Sequence, residues 1–507
     1  MLFDMKKLKK PEYIAAISGF FFGVLVHLFG LVNIIHNSDD ISVQPTGYGT
    51  GTASGRWFLT FLGDFLKKQK LNYNLPVVNG LLFLALLAVS AGVLVAIFRI
   101  KDRQLASLLG IIFVSFPTAC STLLYRYTPH FYGLAILLAV LAVYILPKYR
   151  YWGLILSAIF TALSLGIYQA YLPLTASVFV LCLCKQVLEE ELPFKTVLHR
   201  GCYACLSMIL GLGIYFVCTK VSLYIADLEL KSYQGINEMG QLSLREIPEL
   251  LLRTYQRCLE LVEKDYCNLA PSKIMRLAYG FLFVLNFVMV LSSVVLRKKK
   301  FSDMVMALLL CGILPVAVNF IEIMCPNSRI YTIMVYACVV PMIMPIVLIG
   351  QFPEYSKWKK ISAKTILTIL MVLILGNIYY TNTTYTSLYY TTRQTENYMA
   401  SMVAQIRMTD GFDTEKEWAF IGDNSDPMIR NPWWNVPVYG GAENTDRMLE
   451  AYSWKRWITN YVGYAIPFAA DEKTEAIAQT QECMDMPCWP AEGSIKVIDE
   501  LVVIKFE

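Results

Sequence analysis

Charge is scarce in this chain. Of its 507 residues, 16% are charged and 56% are hydrophobic, whereas ordinary soluble domains carry roughly 25% charge. That excludes a soluble globular protein and a polar, disordered one. Histidine is scarcer still. The four present (27, 36, 130 and 199) show no metal-ligand spacing. No Walker loop, GxSxG or HExxH occurs, which removes the usual signatures of nucleotide-phosphate, serine-hydrolase and zinc-peptidase chemistry. Cysteine is not rare, at 13, but no CxxC pairs with a second one, so structural zinc is not expected. Most cysteines sit in apolar stretches, where Cys is a small filler. Cys483 and Cys488 lie in the polar tail, close enough in sequence for a stabilising disulfide.

What is there instead is a series of long apolar runs. About 20 apolar residues cross a bilayer as a helix, and the chain holds about eleven runs of this kind. They fall near 13–35, 76–98, 104–124, 130–146, 153–168, 171–187, 202–225, 276–296, 302–323, 330–350 and 361–380. Lipid offers backbone groups no partners, so helices are the default for such spans. The expected fold is therefore an all-α polytopic membrane protein of about eleven transmembrane helices over residues 1–380. A small α/β domain follows over 381–507, with a polar, Tyr-rich helix to Met408, a strand at Trp418 and two strands around a turn near Asp499 and Glu500. The first run is too long for a signal-peptide core and has no cleavage site after it, so it is expected to be retained.

Charge placement gives the direction. Lys and Arg accumulate on cytoplasmic loops. Lys6, Lys7, Lys9 and Lys10 precede the first run, and every second connection after it is basic: 99–103, 147–152, 185–200, 297–300 and 351–360. The N-terminus is then inside, and the C-terminal domain outside. The outer segments are 35–75, 125–128, 168–171, 226–273, 324–329 and the tail. Two of them carry amphipathic helices that would lie along the membrane, near 51–70 and 242–262. In the second, Arg253 and Arg257 are expected to reach the lipid headgroups.

Polar residues gather at this outer depth. Asp39 and Asp40 follow the first run, and Arg56 and Trp57 come soon after. Tyr125 and Arg126 end the third run and His130 starts the fourth. Tyr168, Gln169 and Tyr171 form the corner between the fifth and sixth. Glu322 ends the ninth and Arg329 leads into the tenth. Taken alone, each has a plain reading: a solvated turn for the acidic pair, interfacial anchors for Tyr and Arg, and a tight connection at 168–171. Their coincidence on the face with few cations is what points to a site, since ionisable groups near membrane depth are functional candidates.

The chemistry they suit is sugar transfer from a lipid-linked phosphate. Outside the cell there is no nucleotide sugar, so a donor must be carried by lipid. An acceptor hydroxyl needs a general base, for which Asp40 or Asp39 serves, with Asp40 slightly preferred. The departing phosphate needs a cation, and Arg56, Arg126 and Arg329 are the candidates, Arg being suited to bidentate binding. Trp57, Tyr125 and Tyr168 could stack on sugar rings, with His130, Gln169, Tyr171 and Glu322 as further sugar or acceptor contacts. A divalent cation would need more ligands than the adjacent carboxylates and a remote Glu322 supply, and metal binding is left open. Expected partners are a polyprenyl-phosphate sugar, a polysaccharide or glycolipid acceptor and membrane lipids, not nucleic acid.

Asp39-Asp40, Gly55-Arg56-Trp57 and Gly166-Ile-Tyr-Gln-Ala-Tyr171, with the tail from Met484 through Trp489 to the final strands, resemble the bacterial membrane glucosyltransferases of the O-antigen-modifying type. The resemblance implies a GT-C architecture, a polyprenyl-phosphate-glucose donor, inverting transfer and an acidic first outer loop that carries the base, in the bacterial cytoplasmic membrane. Two other readings stand beside it. A glycan polymerase or ligase would differ only in using a diphosphate-linked donor. A transporter or flippase of lipid-linked glycans would require mid-span charge and paired broken helices, both nearly missing here.

Overall fold

The computed structural model describes residues 10–43, 47–71, 74–190, 193–231, 245–352, 357–422, 436–441 and 454–506. The basic N-terminal cluster up to Lys9 and the start of the Gly-rich stretch at Gln44 lie outside these. The chain divides into two compact units: 1–32 with 46–383 and 437–441, and 33–45 with 384–436 and 442–507.

Among its described residues, the first unit consists of helices and the turns that join them. Among the described residues, seven helices are long and apolar enough to cross a membrane, or eight if one bent pair counts as a single span. In the first unit these are α1 (Pro11–Val32), α4 (Pro76–Ile97), α9 (Leu172–Glu189) with the turn before it, α10 (Phe194–Ala226), α12 (Lys273–Leu296) and α13 (Phe301–Val318). The seventh is α16 (Lys357–Arg407), which continues into the second unit. The bent pair is α5 (Arg103–Ser115) and α6 (Pro117–Leu124), 41° apart. The remaining apolar runs are shorter helices: α7 (Pro129–Ile145), α8 (Arg150–Ile167) and α15 (Val340–Leu348). All the runs expected from sequence are thus helical, but length supports seven or eight crossings rather than eleven.

Small residues set how closely these helices pack. Ala15, Gly19 and Gly23 recur every fourth position on α1, and Gly110 of α5 lies against Ala15 and Gly19. Such stripes let backbones approach where lipid supplies no hydrophobic drive between helices. A methyl group on Gly110 would collide with the Ala15 carbonyl.

Two surface helices flank the bundle. In α3 (Trp57–Lys68), Leu59 and Gly63 are buried while Phe61 and Phe65 are exposed, and Lys67 and Lys68 end it. α11 (Ile247–Glu263) starts later than expected, and residues 242–244 lie outside the described chain. Its Leu251, Tyr255 and Leu259 are exposed. Its arginines, expected from the amphipathic pattern to reach headgroups, bond to neighbouring protein groups. Arg253 donates to the Pro326 carbonyl at 2.8 Å, and Arg257 turns inward to carboxylates.

The second unit is built on the far part of α16 and a three-stranded sheet of β1 (Glu417–Ile421), β2 (Ile495–Ile498) and β3 (Leu501–Lys505) in the order β1-β3-β2. β3 pairs parallel to β1 and antiparallel to β2. The period of two sorts its side chains. Trp418, Phe420, Val502 and Ile504 join Met399, Met402, Val403 and Ile406 of α16, while Ala419 and Val503 face Ile477 and Cys483. Cys483 and Cys488 are both free thiols. The tail helix expected to begin near Thr381 is continuous with the last apolar run. Its threonine hydroxyls are satisfied within the helix, Thr391 donating to the Ser387 carbonyl and Thr395 to that of Thr391.

Gly110→Ala should separate α1 from α5 and cost about 1–3 kcal/mol, read as a lowered melting temperature in detergent. Gly213→Ala on α10, where a methyl would meet nothing within 4 Å, should melt like the parent.

Candidate functional site

In the first unit the candidate residues form two groups. The first is assembled by a tight turn. A 3-10 turn at Thr52–Ser54 ends on Gly55 in the left-handed region (φ 70°), and Arg56 then caps α3. A side chain at 55 would strike the Tyr215 hydroxyl and the Gln169 amide, so the turn requires glycine for space as well as for φ. Gln169 holds the turn by donating to the Ser54 carbonyl and the Tyr215 hydroxyl, each at 2.9 Å.

This delivers the Arg56 guanidinium onto a tyrosine platform. It lies 4.9 Å from the Tyr168 ring centroid, and Nη1 donates to Thr50 (2.8 Å) and the Tyr132 hydroxyl (3.1 Å). Tyr132 stacks on Tyr168 at 4.5 Å, and Tyr171 meets Tyr168 edge-on at 5.3 Å. Among the described residues Arg56 has no carboxylate within ion-pair distance, and its buried Nε makes no hydrogen bond. A half-buried guanidinium against tyrosine rings, its Nε buried and unbonded, suits an incoming anion.

The second group surrounds Glu322. This carboxylate is 2% exposed and sits on the short helix α14 (Ile321–Met324). Arg257 reaches it at 2.7 Å and also bonds Glu260 at 2.7 Å, while the Tyr266 hydroxyl donates to it at 3.4 Å. Beside the pair opens a cavity of about 400 Å³ whose walls include Arg257, Glu260, Lys264, Asp265, Tyr266 and Arg329. The Arg329 guanidinium lies 5.2 Å from the Tyr331 ring centroid. Burial raises the Asp265 carboxyl to about 6 despite the Ala270 N–H that it accepts. Asp265, Cys267 and Asn268 all have positive φ. Thr332 pins this strained segment by donating to the Cys267 carbonyl at 2.6 Å.

The acidic pair belongs to the second unit, and its two members differ. Asp39 is exposed, whereas Asp40 is fully buried. They lie on one turn of helix, α2 (Ser38–Ser42), capped by Asn37, whose Oδ1 accepts from the Asp40 N–H at 2.8 Å. Asp40 Oδ2 is 3.2 Å from His36 Nδ1, and the Tyr461 hydroxyl lies 3.0 Å from the same nitrogen. Trp457 and Tyr461 pack edge-on against the imidazole. Ile41 enters the core of the sheet unit, and Asn460 donates to its carbonyl at 3.1 Å.

The other expected residues are more dispersed. Trp57 packs on Gly166 and Phe58. Tyr125 meets Tyr127 edge-on at 6.4 Å, and Arg126 between them is buried, its carbonyl accepting from Asn79. His130 lies on Phe131, the ring centroids 4.0 Å apart. Sequence reasoning missed His36, Tyr132, Tyr215, Arg257, Lys264, Asp265, Tyr266 and Tyr461. His36, just ahead of the Asn37 cap, is brought onto Asp40 by the fold of the turn and carried no helical spacing signal. Among the described residues no group of three or more His, Cys, Asp or Glu could hold a metal ion.

Residues 28–342 match the family model described as Glucosyl transferase GtrII. No curated protein and no solved structure matches the chain.

The raised Asp265 carboxyl has a measurable consequence. The unfolded chain ionises near 4 and the folded protein near 6, so this group opposes folding increasingly as pH rises from 4 to 6. Asp265→Asn keeps an acceptor for the Ala270 N–H and removes the buried charge. It should match the parent's melting temperature at pH 4 and exceed it at pH 7, by on the order of 1 kcal/mol after solvent screening.

Proposed function

Because the chain belongs to the glucosyl transferase GtrII family, we propose that it moves glucose, with inversion, from a polyprenyl-phosphate donor to a surface polysaccharide or lipid-linked glycan. The reaction takes place on the extracytoplasmic face of a bacterial cytoplasmic membrane, in a GT-C architecture. The alternation of basic and non-basic connections supports that sidedness. The observation that carries the reading is Arg56, a caged guanidinium with spare donors and no carboxylate partner among the described residues.

In this reading Arg56 binds the phosphate of the donor. Tyr168 and the Tyr132 hydroxyl hold the guanidinium in place, so that its fork meets the phosphate as charge collects there on departure. Arg126 is a second candidate cation. Asp39 is the general base. Of the two carboxylates it is the exposed one and so can meet an acceptor hydroxyl, which departs from the slight preference for Asp40 taken from sequence. Asp40 has the positioning role, holding α2 through His36. The base takes the acceptor's proton, and the acceptor oxygen attacks the anomeric carbon from the face opposite the phosphate. The bond to phosphate breaks through an oxocarbenium-like transition state.

With purified protein in lipid and polyprenyl-phosphate glucose, Asp39→Asn should reduce transfer by about 10²–10⁴-fold, the usual span for a general base. Arg56→Lys keeps the charge but loses the fork and the stack, and should fall by roughly 10²-fold. Full activity of Asp39→Asn would remove the base assignment, and full activity of Arg56→Lys the phosphate assignment.

A further inference from the structure

We propose that the cavity bounded by Arg257, Glu260, Lys264, Asp265, Tyr266 and Arg329 is a saccharide-binding subsite that receives an uncharged hexose-containing segment of the acceptor glycan. The acceptor role rests on the transferase reading above, but saccharide binding itself does not.

Four observations carry this. The volume, about 400 Å³, is that of a small-ligand pocket. The walls alternate donors and acceptors: guanidinium and ammonium groups from Arg257, Lys264 and Arg329, carboxylates from Glu260 and Asp265. Sugar hydroxyls donate and accept at once, so they match a lining in which donors and acceptors stand side by side. The deeper charge is already balanced, because Glu322 and Glu260 hold Arg257 in a fixed orientation. That leaves the site pre-organised for neutral polar groups rather than hungry for an anion. Tyr266 adds an aromatic wall, itself covered by the Arg257 guanidinium 5.5 Å from its centroid.

The backbone argues the same way. Asp265, Cys267 and Asn268 sit at φ values of 71°, 53° and 56°, each of which costs free energy and persists only where surroundings enforce it. Thr332 enforces it here, and the segment presents Asp265 and Tyr266 side by side into the cavity. The location fits an acceptor subsite too. Met324 and Cys325, at the end of α14, share an apolar cluster with Trp57 and Tyr215, the residues that flank the Arg56 turn.

The test uses the full chain in lipid nanodiscs without donor, applied to an array of immobilised neutral hexose oligosaccharides. The parent should bind a subset of the array. Lys264→Ala and Arg329→Ala alter exposed side chains, and each should weaken that binding at least about tenfold, the loss expected for one charge-assisted hydrogen bond. Asp265→Asn should also weaken it while melting no lower than the parent. Arg56→Lys should leave binding unchanged and lose only transfer. No binding to the array by the parent overturns the proposal. So does binding that all three cavity variants retain, or variants that change only capture by anionic phospholipid vesicles. If cavity-dependent binding holds but no glucose is ever transferred, the transferase reading fails and the saccharide site stands.

Discussion

A carbonyl freed inside an apolar medium must find a donor from the protein itself, and much of the first unit is arranged around that need. Pro117 has no N–H to offer the Phe113 carbonyl, and the helix breaks there. The Tyr336 hydroxyl donates to that carbonyl, and His27 of α1 bonds the neighbouring carbonyl of Val114. Pro345 frees the Pro341 carbonyl in α15, and Asn286 of α12 donates to it at 2.9 Å. Asn79 does the same for Arg126 at the turn between α6 and α7. Each interruption thus becomes a tie between helices distant in sequence. The corners so fixed are where polar side chains can be held at membrane depth.

One charge on α11 goes against the usual rule. In a soluble protein charges cover the surface. Here α11 exposes Leu251, Tyr255 and Leu259 while Arg257 turns inward to Glu322 and Glu260. A buried ion pair gains little net stability once desolvation is counted, but breaking it would strand a charge. Its value is orientation, since it fixes the wall of the cavity. Arg56 is the exception that suits a ligand: its charge is shielded by tyrosine rings and hydroxyls rather than cancelled by a carboxylate.

The stretch that matches the family model, 28–342, contains Asp39, Asp40, Arg56, Glu322 and Arg329, and it ends before α16 and the sheet. The sheet unit nonetheless contributes to the acidic turn. Residues 33–43 belong to that unit, and its Tyr461 reaches His36. The segment most suggestive of chemistry in the sequence is therefore held by a residue more than 400 positions downstream.

Hydropathy by itself determined that the chain is a bundle of apolar helices, because a run of apolar residues in lipid has no alternative to the helix. Short apolar runs in the polar tail, two of them around a turn at Asp499 and Glu500, likewise located the three strands. Local chemistry also marked the Gly55-Arg56 turn and the 168–171 corner, since glycine before an arginine and tyrosines at a helix junction are signals within a few residues. Tertiary structure alone decided which apolar helices are long enough to cross. It decided that Asp40 is buried while its neighbour Asp39 is exposed, and that Arg257 faces inward. It also brought Lys264, Asp265 and Arg329 around one cavity. Burial and ion pairing depend on which helix lies opposite. That is set by small-residue contacts and by proline-freed carbonyls between segments far apart in the chain, so no local pattern records it.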